Sequence, residues 1–276
     1  MMVFKKNINE PIAVYRIILT ILLIEILVYF FSGLNTNSLY GNTYFSLEQD
    51  PLLWAAYYTG IPQFIVQHVW VAIFLDIAIL LLLCWLVVKP LNVWVARLLL
   101  FFLILFYVVV VGHHTHRNFQ TGYIFVMLLF VVTSTNNKQI LFECLRYFLL
   151  IFYVIAAYLK ITSGALFNAT HMSHALAAQF APYFTEQHLG WRTALNSYLV
   201  QHTLIAQSLL ITATIVEALA IVGFFTKKYD FLIALFLLIF HFANWFLMDI
   251  APIGHIAFLS ILFFSKQLCW INKASN

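Results

Sequence analysis

The sequence predicts an all-α fold: a polytopic integral membrane helical bundle of about eight transmembrane helices, with interfacial helices on its outer side. Three observations predict it. Apolar stretches of about 20 residues recur along nearly the whole chain, each long enough to cross ~30 Å of hydrocarbon as a helix. Hydrophobic residues make up 64% of the 276 and charged residues 9%, with a mean hydropathy of +0.95, so no segment remains for a soluble domain. The lysines, finally, fall in step with the spans.

The spans read as 11–32, 63–88, 92–111, 119–135, 140–161, 203–225, 230–249 and 251–265, the fourth and eighth being short. No apolar core followed by a small-residue cleavage site opens the chain, so the first run is expected to be a retained helix. With eight spans, Lys5, Lys6, Lys89, Lys138, Lys227, Lys228, Lys266 and Lys273 all lie on the side of the N terminus. The opposite loops hold Arg117 and Arg192, with Lys160 at their edge. Both termini are then cytoplasmic. The same asymmetry accounts for the net charge of +4, which speaks for anionic lipid and against nucleic acid as the partner.

Two segments on the outer side, 33–62 and 162–202, are longer than turns. They carry Trp54, Tyr57, Tyr58, Tyr183, Trp191 and Tyr198 among polar residues. Such a mixture suits interfacial helices that cap a cavity, and equally an aromatic belt that sets depth. No internal repeat of the inverted kind found in many transporters is evident, nor any low-complexity tract. Cys84, Cys144 and Cys269 fall in different spans without paired spacing and are expected to be buried free thiols. The Asn168-Ala-Thr170 sequon is discounted, since three-residue patterns arise by chance.

Function is sought where polar groups enter apolar runs, because an ionisable side chain inside a bilayer is costly unless it faces a partner or water. Arg16, Glu25, Asp76, Glu217 and His241 are in such runs. Arg16, Arg97 and Arg146 sit near the cytoplasmic ends of their helices and are expected to be structural, paired with groups such as Glu143, carbonyls or phosphates. The run His113, His114, His116 with Arg117 lies on the outer side. A closed metal site needs three or four convergent ligands, and no carboxylate or cysteine lies nearby in sequence, so no metal is expected. A proton-exchanging or substrate-orienting rim is the functional reading. His241, Asn244 and Met248 share one helix face, which either lines a cavity or glues helices together by hydrogen bonds. Lys160 closes the fifth span two turns after Tyr153. A lysine there snorkels to headgroups or, when buried as the neutral amine, acts as a general base.

Three segments resemble the transmembrane domain shared by vitamin K-dependent gamma-glutamyl carboxylase and its bacterial relatives, the HTTM family. Pro11-Ile-Ala-Val-Tyr-Arg16-Ile-Ile-Leu looks like the family's opening helix with its arginine. Tyr153-Val-Ile-Ala-Ala-Tyr-Leu-Lys160 looks like the helix that ends in the catalytic-base lysine. Phe240-His241-Phe-Ala-Asn244-Trp-Phe-Leu-Met248 is similar to the His-x-x-Asn helix. Glu217 falls where the family carries an acidic residue, and Thr115-His116-Arg117-Asn118 falls where the carboxylase has an Asn-His pair. The carboxylase also has a large lumenal domain that binds the substrate propeptide; the resemblance covers the transmembrane part alone.

The resemblance implies a helical bundle whose cavity opens to the exoplasmic leaflet of, here, a bacterial inner membrane and receives a reduced, vitamin K-like quinone or another lipid-soluble substrate. Lys160 would be the general base and His241 its catalytic companion, with Asn244, His116, Glu217, Met248 and Tyr153 lining the pocket. Donors fixed around a dry site would stabilise the quinol oxyanion. The competing class is a non-enzymatic transporter or partner-binding membrane subunit, which would use a polar path through Glu25, Asp76 and Glu217.

Overall fold

The computed structural model describes residues 11–42, 45, 51–113, 122–133, 135–181, 190–248 and 254–268. His114, His116, Arg117, Tyr183, Cys269 and the lysines at 5, 6 and 273 therefore lie outside the described residues. Those described are helical, with no strand among them. Six stretches are long and apolar enough to cross a membrane. They are built on α1 (Pro11–Phe31), then α4 (Val69–Val88) and α5 (Val93–His113), which follow the short helices α2 (Pro51–Thr59) and α3 (Ile61–Gln67). The short α6 (Gly122–Val131) precedes the long α7 (Thr135–Thr162). After α8 (His171–Gln179) and α9 (Trp191–Gln201) come α10 (Thr203–Ala218), continued by α11 (Ala220–Phe225), and α12 (Asp230–Met248). The chain closes with α13 (His255–Phe263) and α14 (Ser265–Leu268).

The fourth and eighth expected spans are where the structure differs. Helix α6 has 10 residues and α13 has 9, about half the rise that ~30 Å of hydrocarbon asks for, the segments just before both lying outside the described residues. Cys84 and Cys144 are exposed, not buried as expected. On a helix surrounded by lipid a thiol, which packs as a small hydrophobe, suits the outward face as well as the inward one.

The chain forms two compact units, 1–145 with 252–276, and 146–251. In the first, α1 packs on α4 and α13, α4 on α5, α5 on α6, and α6 on α13. Arg16 donates to the Val88 carbonyl at 3.4 Å, and the Lys138 ammonium stands 5.6 Å over the Tyr15 ring. The start of α1, the end of α4 and the start of α7 thus share one end of this unit, so the chain leaves along α5 and has returned by Lys138. Helix α6 lies on that return.

Two carboxylates of this unit, the half-buried Glu25 and the buried Asp76, are held by backbone. Glu25 accepts from the N–H groups of Ile256 and Ala257, each at 2.9 Å, and so caps the head of α13. Asp76 accepts from the Thr36 and Asn37 N–H groups at 3.1 Å and from the Thr36 hydroxyl, fixing the 3₁₀ turn Thr36–Leu39. In the second unit Arg146, 1% exposed, donates to both oxygens of Asp230 at 2.6 and 2.8 Å and to the Gly223 carbonyl at 2.5 Å. The acid this arginine clamps is Asp230, at the head of α12.

The element order repeats in one sense. Each half begins with a long helix ended by Ser-Gly, Ser32-Gly33 and Ser163-Gly164, with the glycines at φ 75° and 77°. That left-handed conformation costs glycine little and stops the helix. A 3₁₀ turn follows, Thr36–Leu39 and Ala165–Phe167, and then short helices ending in Val-Gln-His at His68 and His202. Each of these histidines shares a hydrogen bond between Nδ1 and the carbonyl four residues back, at 2.8 and 2.9 Å. Each lays its ring against the aromatic side chain there, 4.2 Å from Phe64 and 4.0 Å from Tyr198. A spanning helix starts at the next residue, a lysine turn and a second spanning helix come after, and a short helix opening Gly-x-Ile closes the half. Gly122 and Gly254, which open the two short helices, meet: a Cβ on either would run into the other's backbone or that of Tyr123. The order of elements is the same, from N to C terminus, in both halves.

Candidate functional site: a buried titratable cluster on three helices

Tyr153 and Lys160 are seven residues apart on α7, two turns, and so face the same way. That face meets α10 and α12. The Lys160 ammonium donates to both oxygens of Glu217, at 2.5 and 2.6 Å, with the lysine side chain 28% exposed and the glutamate 4%. It also stands 5.5 Å over the ring of Phe240, next to His241. The Tyr153 hydroxyl shares a hydrogen bond of 2.6 Å with His241 Nε2, both residues being buried. Lys160 lies within electrostatic reach of His241, and Glu217 of Tyr153. Four of the residues singled out from the sequence are thereby brought together in two pairs.

The depth follows from the helices. Counted along α7 from the Arg146 clamp, Tyr153 is ~10 Å up; counted from Gly223, Glu217 is ~9 Å up along α10 and α11. Lys160 starts a further two turns along, and its side chain turns back to Glu217 and not onward to headgroups. Long side chains on a helix lean toward its N terminus, so this is the direction the geometry favours. Helix α10 gives way to α11 at Leu219, two residues past the glutamate, with helical backbone and the Leu219 N–H still bonded to the Ile215 carbonyl at 3.0 Å.

The remaining expected residues are elsewhere. Asn244 is half-buried, one turn beyond His241, with no side-chain hydrogen bond among the described residues. Met248 packs against an apolar cluster of Ala165, Met172, Leu176, Leu199, Ala206 and Leu210, under α8 and α9. His116 lies outside the described residues. His113 is 2% exposed, bonds through Nδ1 to the Val109 carbonyl at 2.8 Å and packs edge-on against Phe45, a core histidine. Among the described residues no group of three or more His, Cys, Asp and Glu side chains converges.

Residues not singled out from the sequence tie α8 and α9 down. Gln207 donates to the carbonyls of Ala165 and Leu166 at 3.0 and 2.8 Å. Arg192 donates to the Phe246 carbonyl at 2.9 Å and to that of Trp245, satisfying acceptors in the last turn of α12. A lone arginine in a polar loop gives no sequence signal for that role.

The matched halves supply an internal control. Counted from the Ser-Gly pairs, Tyr153 corresponds to Leu22 and Lys160 to Tyr29; counted from the Val-Gln-His corners, Glu217 corresponds to Leu83. Counted from Val93 and Asp230, the first residues of α5 and α12, His241 falls against Ile104, which is half-buried. Leu22, Tyr29 and Leu83 are at most 2% exposed. The scaffold therefore packs with leucine or tyrosine at these three places, and a lysine–glutamate pair is not a requirement of the fold.

Fold and site together define a polytopic helical membrane protein with a buried titratable cluster inside one of its two units. No protein-family model, curated protein or solved structure matches the chain.

Proposed function

We propose that the protein is a vitamin K-dependent carboxylase-like membrane enzyme that takes a proton from a reduced quinone or another lipid-soluble hydroxyl compound. The observation that carries this reading is the Lys160–Glu217 pair, at positions the first half fills with Tyr29 and Leu83, beside the Tyr153–His241 pair. Ionisable residues that the scaffold does not need, gathered at depth on three helices, are what a site for acid–base chemistry in hydrocarbon requires. Lys160 is the general base of this reading, His241 with Tyr153 a second proton-holding pair, and Asn244 a donor one turn away. The Arg16 helix and the order of the three segments support the HTTM resemblance. The lysines at one face support a bacterial inner-membrane protein with cytoplasmic termini.

The transporter reading needs Glu25, Asp76 and Glu217 as one polar path. The first two have their oxygens occupied by backbone N–H groups, as capping carboxylates do, which favours the enzyme. The test is mass spectrometry of lipid-soluble molecules that copurify with the protein, followed by quinone binding and turnover for Lys160→Arg. Arginine keeps the cation and removes the releasable proton, so binding should persist and turnover should vanish. Turnover by the arginine variant would sink the assignment of the base.

A further inference from the structure

We propose that Glu217 is the proton acceptor of this site and that Lys160 is the relay that hands the proton to it, an inference that rests on the quinol reading above. Both oxygens of Glu217 already face Nζ at 2.5 and 2.6 Å, so ammonium protons point at the carboxylate before any substrate arrives. The pair is formally neutral, and a substrate anion placed beside it would leave the buried site with a net negative charge. That charge is avoided if the substrate's proton stays, on Glu217.

The step balances without oxidant or reductant. An N–H bond of Nζ breaks as an O–H bond forms on Glu217, and the lone pair so freed on Nζ takes the substrate's proton as the substrate O–H bond breaks. Lysine leaves the step as it entered it, an ammonium, now beside the substrate oxyanion it stabilises. The neutral amine is then needed only within the step, where transfer to Glu217 supplies it.

Two observations single out Glu217 from Glu25 and Asp76, and Asp230 is set apart by its bidentate partner Arg146, which does not give up a proton. Glu25 and Asp76 spend their oxygens on N–H groups of α13 and of the 36–39 turn, so protonating either would release backbone. Glu217 meets a titratable side chain instead, and its counterpart in the first half is Leu83, 0% exposed. The titratable groups facing it are Lys160, hydrogen-bonded, and Tyr153, within electrostatic reach, both from α7; His241 of α12 joins them through Tyr153. The bland alternative is a fixed structural ion pair whose carboxylate never changes protonation.

The full chain in nanodiscs would be titrated with a lipophilic 4-alkyl-2-nitrophenol, whose colour reports ionisation, at a pH where the free probe is the neutral phenol. Calorimetry in two buffers of different ionisation enthalpy would count protons. The unaltered protein should develop the phenolate band with no net proton released, the proton being retained on Glu217. Glu217→Gln should still bind the phenolate but release about one proton per probe, so its affinity should rise about tenfold per pH unit. Glu217→Asp should restore proton retention. Binding of the unaltered protein as neutral phenol, or with release of a full proton, overturns the relay and leaves the quinol site standing; the first result needs no variant to fold. No binding of either the nitrophenol or its non-ionising methyl ether removes the quinol reading and the relay together.

Discussion

In the first half of the chain the carboxylates Glu25 and Asp76 end on backbone N–H groups of neighbouring turns. In the second, Glu217 ends on a lysine and His241 on a tyrosine. Both halves thread the same order of long helix, Ser-Gly stop, interfacial helices, Val-Gln-His corner and two further spans. A carboxylate that caps a turn helps to make the fold; a carboxylate that meets another ionisable side chain, where the sister half has leucine, is free of that duty. The difference separates carboxylates that hold backbone from one that meets a lysine side chain.

The largest effect should come from the structural clamp. Arg146→Ala leaves Asp230 charged and uncompensated in a site where each side chain is 1% exposed, a loss of about 3–5 kcal/mol. Thermal unfolding in detergent should show it as a collapse of folded yield. A stable Arg146→Ala protein would mean that the clamp is not what fixes α12 to α7.

A middle-sized effect separates the two kinds of acid. Asp76→Leu orphans the N–H groups of Thr36 and Asn37 and should cost roughly 2–3 kcal/mol of stability. Glu217→Leu installs the residue the first half already uses. It should cost less, because Lys160 is part-exposed and can swing to headgroups, while it removes the proton retention described above. Equal destabilisation by both variants, measured in one detergent, would erase the distinction between the halves.

The smallest effect tests the repeat itself. Gly33→Ala and Gly164→Ala each place a Cβ at φ near +75° with open space around it, so only the backbone penalty of about 1 kcal/mol is felt. The two losses should agree within ~0.5 kcal/mol in matched chemical denaturation. Widely different values would say that the Ser-Gly stops are coincidental and not counterparts.

The helical membrane class and six of the expected spans could be read from the sequence, because runs like 69–88 and 93–113 are apolar all round and need no tertiary information. Helices α6 and α13 were harder, since Gly122 and Gly254 begin them where two backbones touch, a fact that belongs to packing alone. Glu217 and Lys160 could be singled out as polar intruders, yet 57 residues of sequence separate them, and nothing local states that one ends on the other. Met248 illustrates the reverse: helix periodicity sets it on the face of His241, while its neighbours come from α8, α9 and α10. The repeat hid because its markers are two or three residues long and the spans between them share only hydrophobicity.

Helix α7, with 28 residues, rises ~42 Å, well beyond ~30 Å of hydrocarbon. Such a helix must tilt or project, and a basic residue at its far end would normally set how much by reaching for phosphate. Lys160 is engaged inward, so that anchor is spent, and the height of the pair is set from the opposite end by the Arg146–Asp230 clamp. Bilayer thickness thereby becomes a variable of the site: a thicker membrane lowers the ammonium further beneath the surface, and a thinner one lifts it toward water.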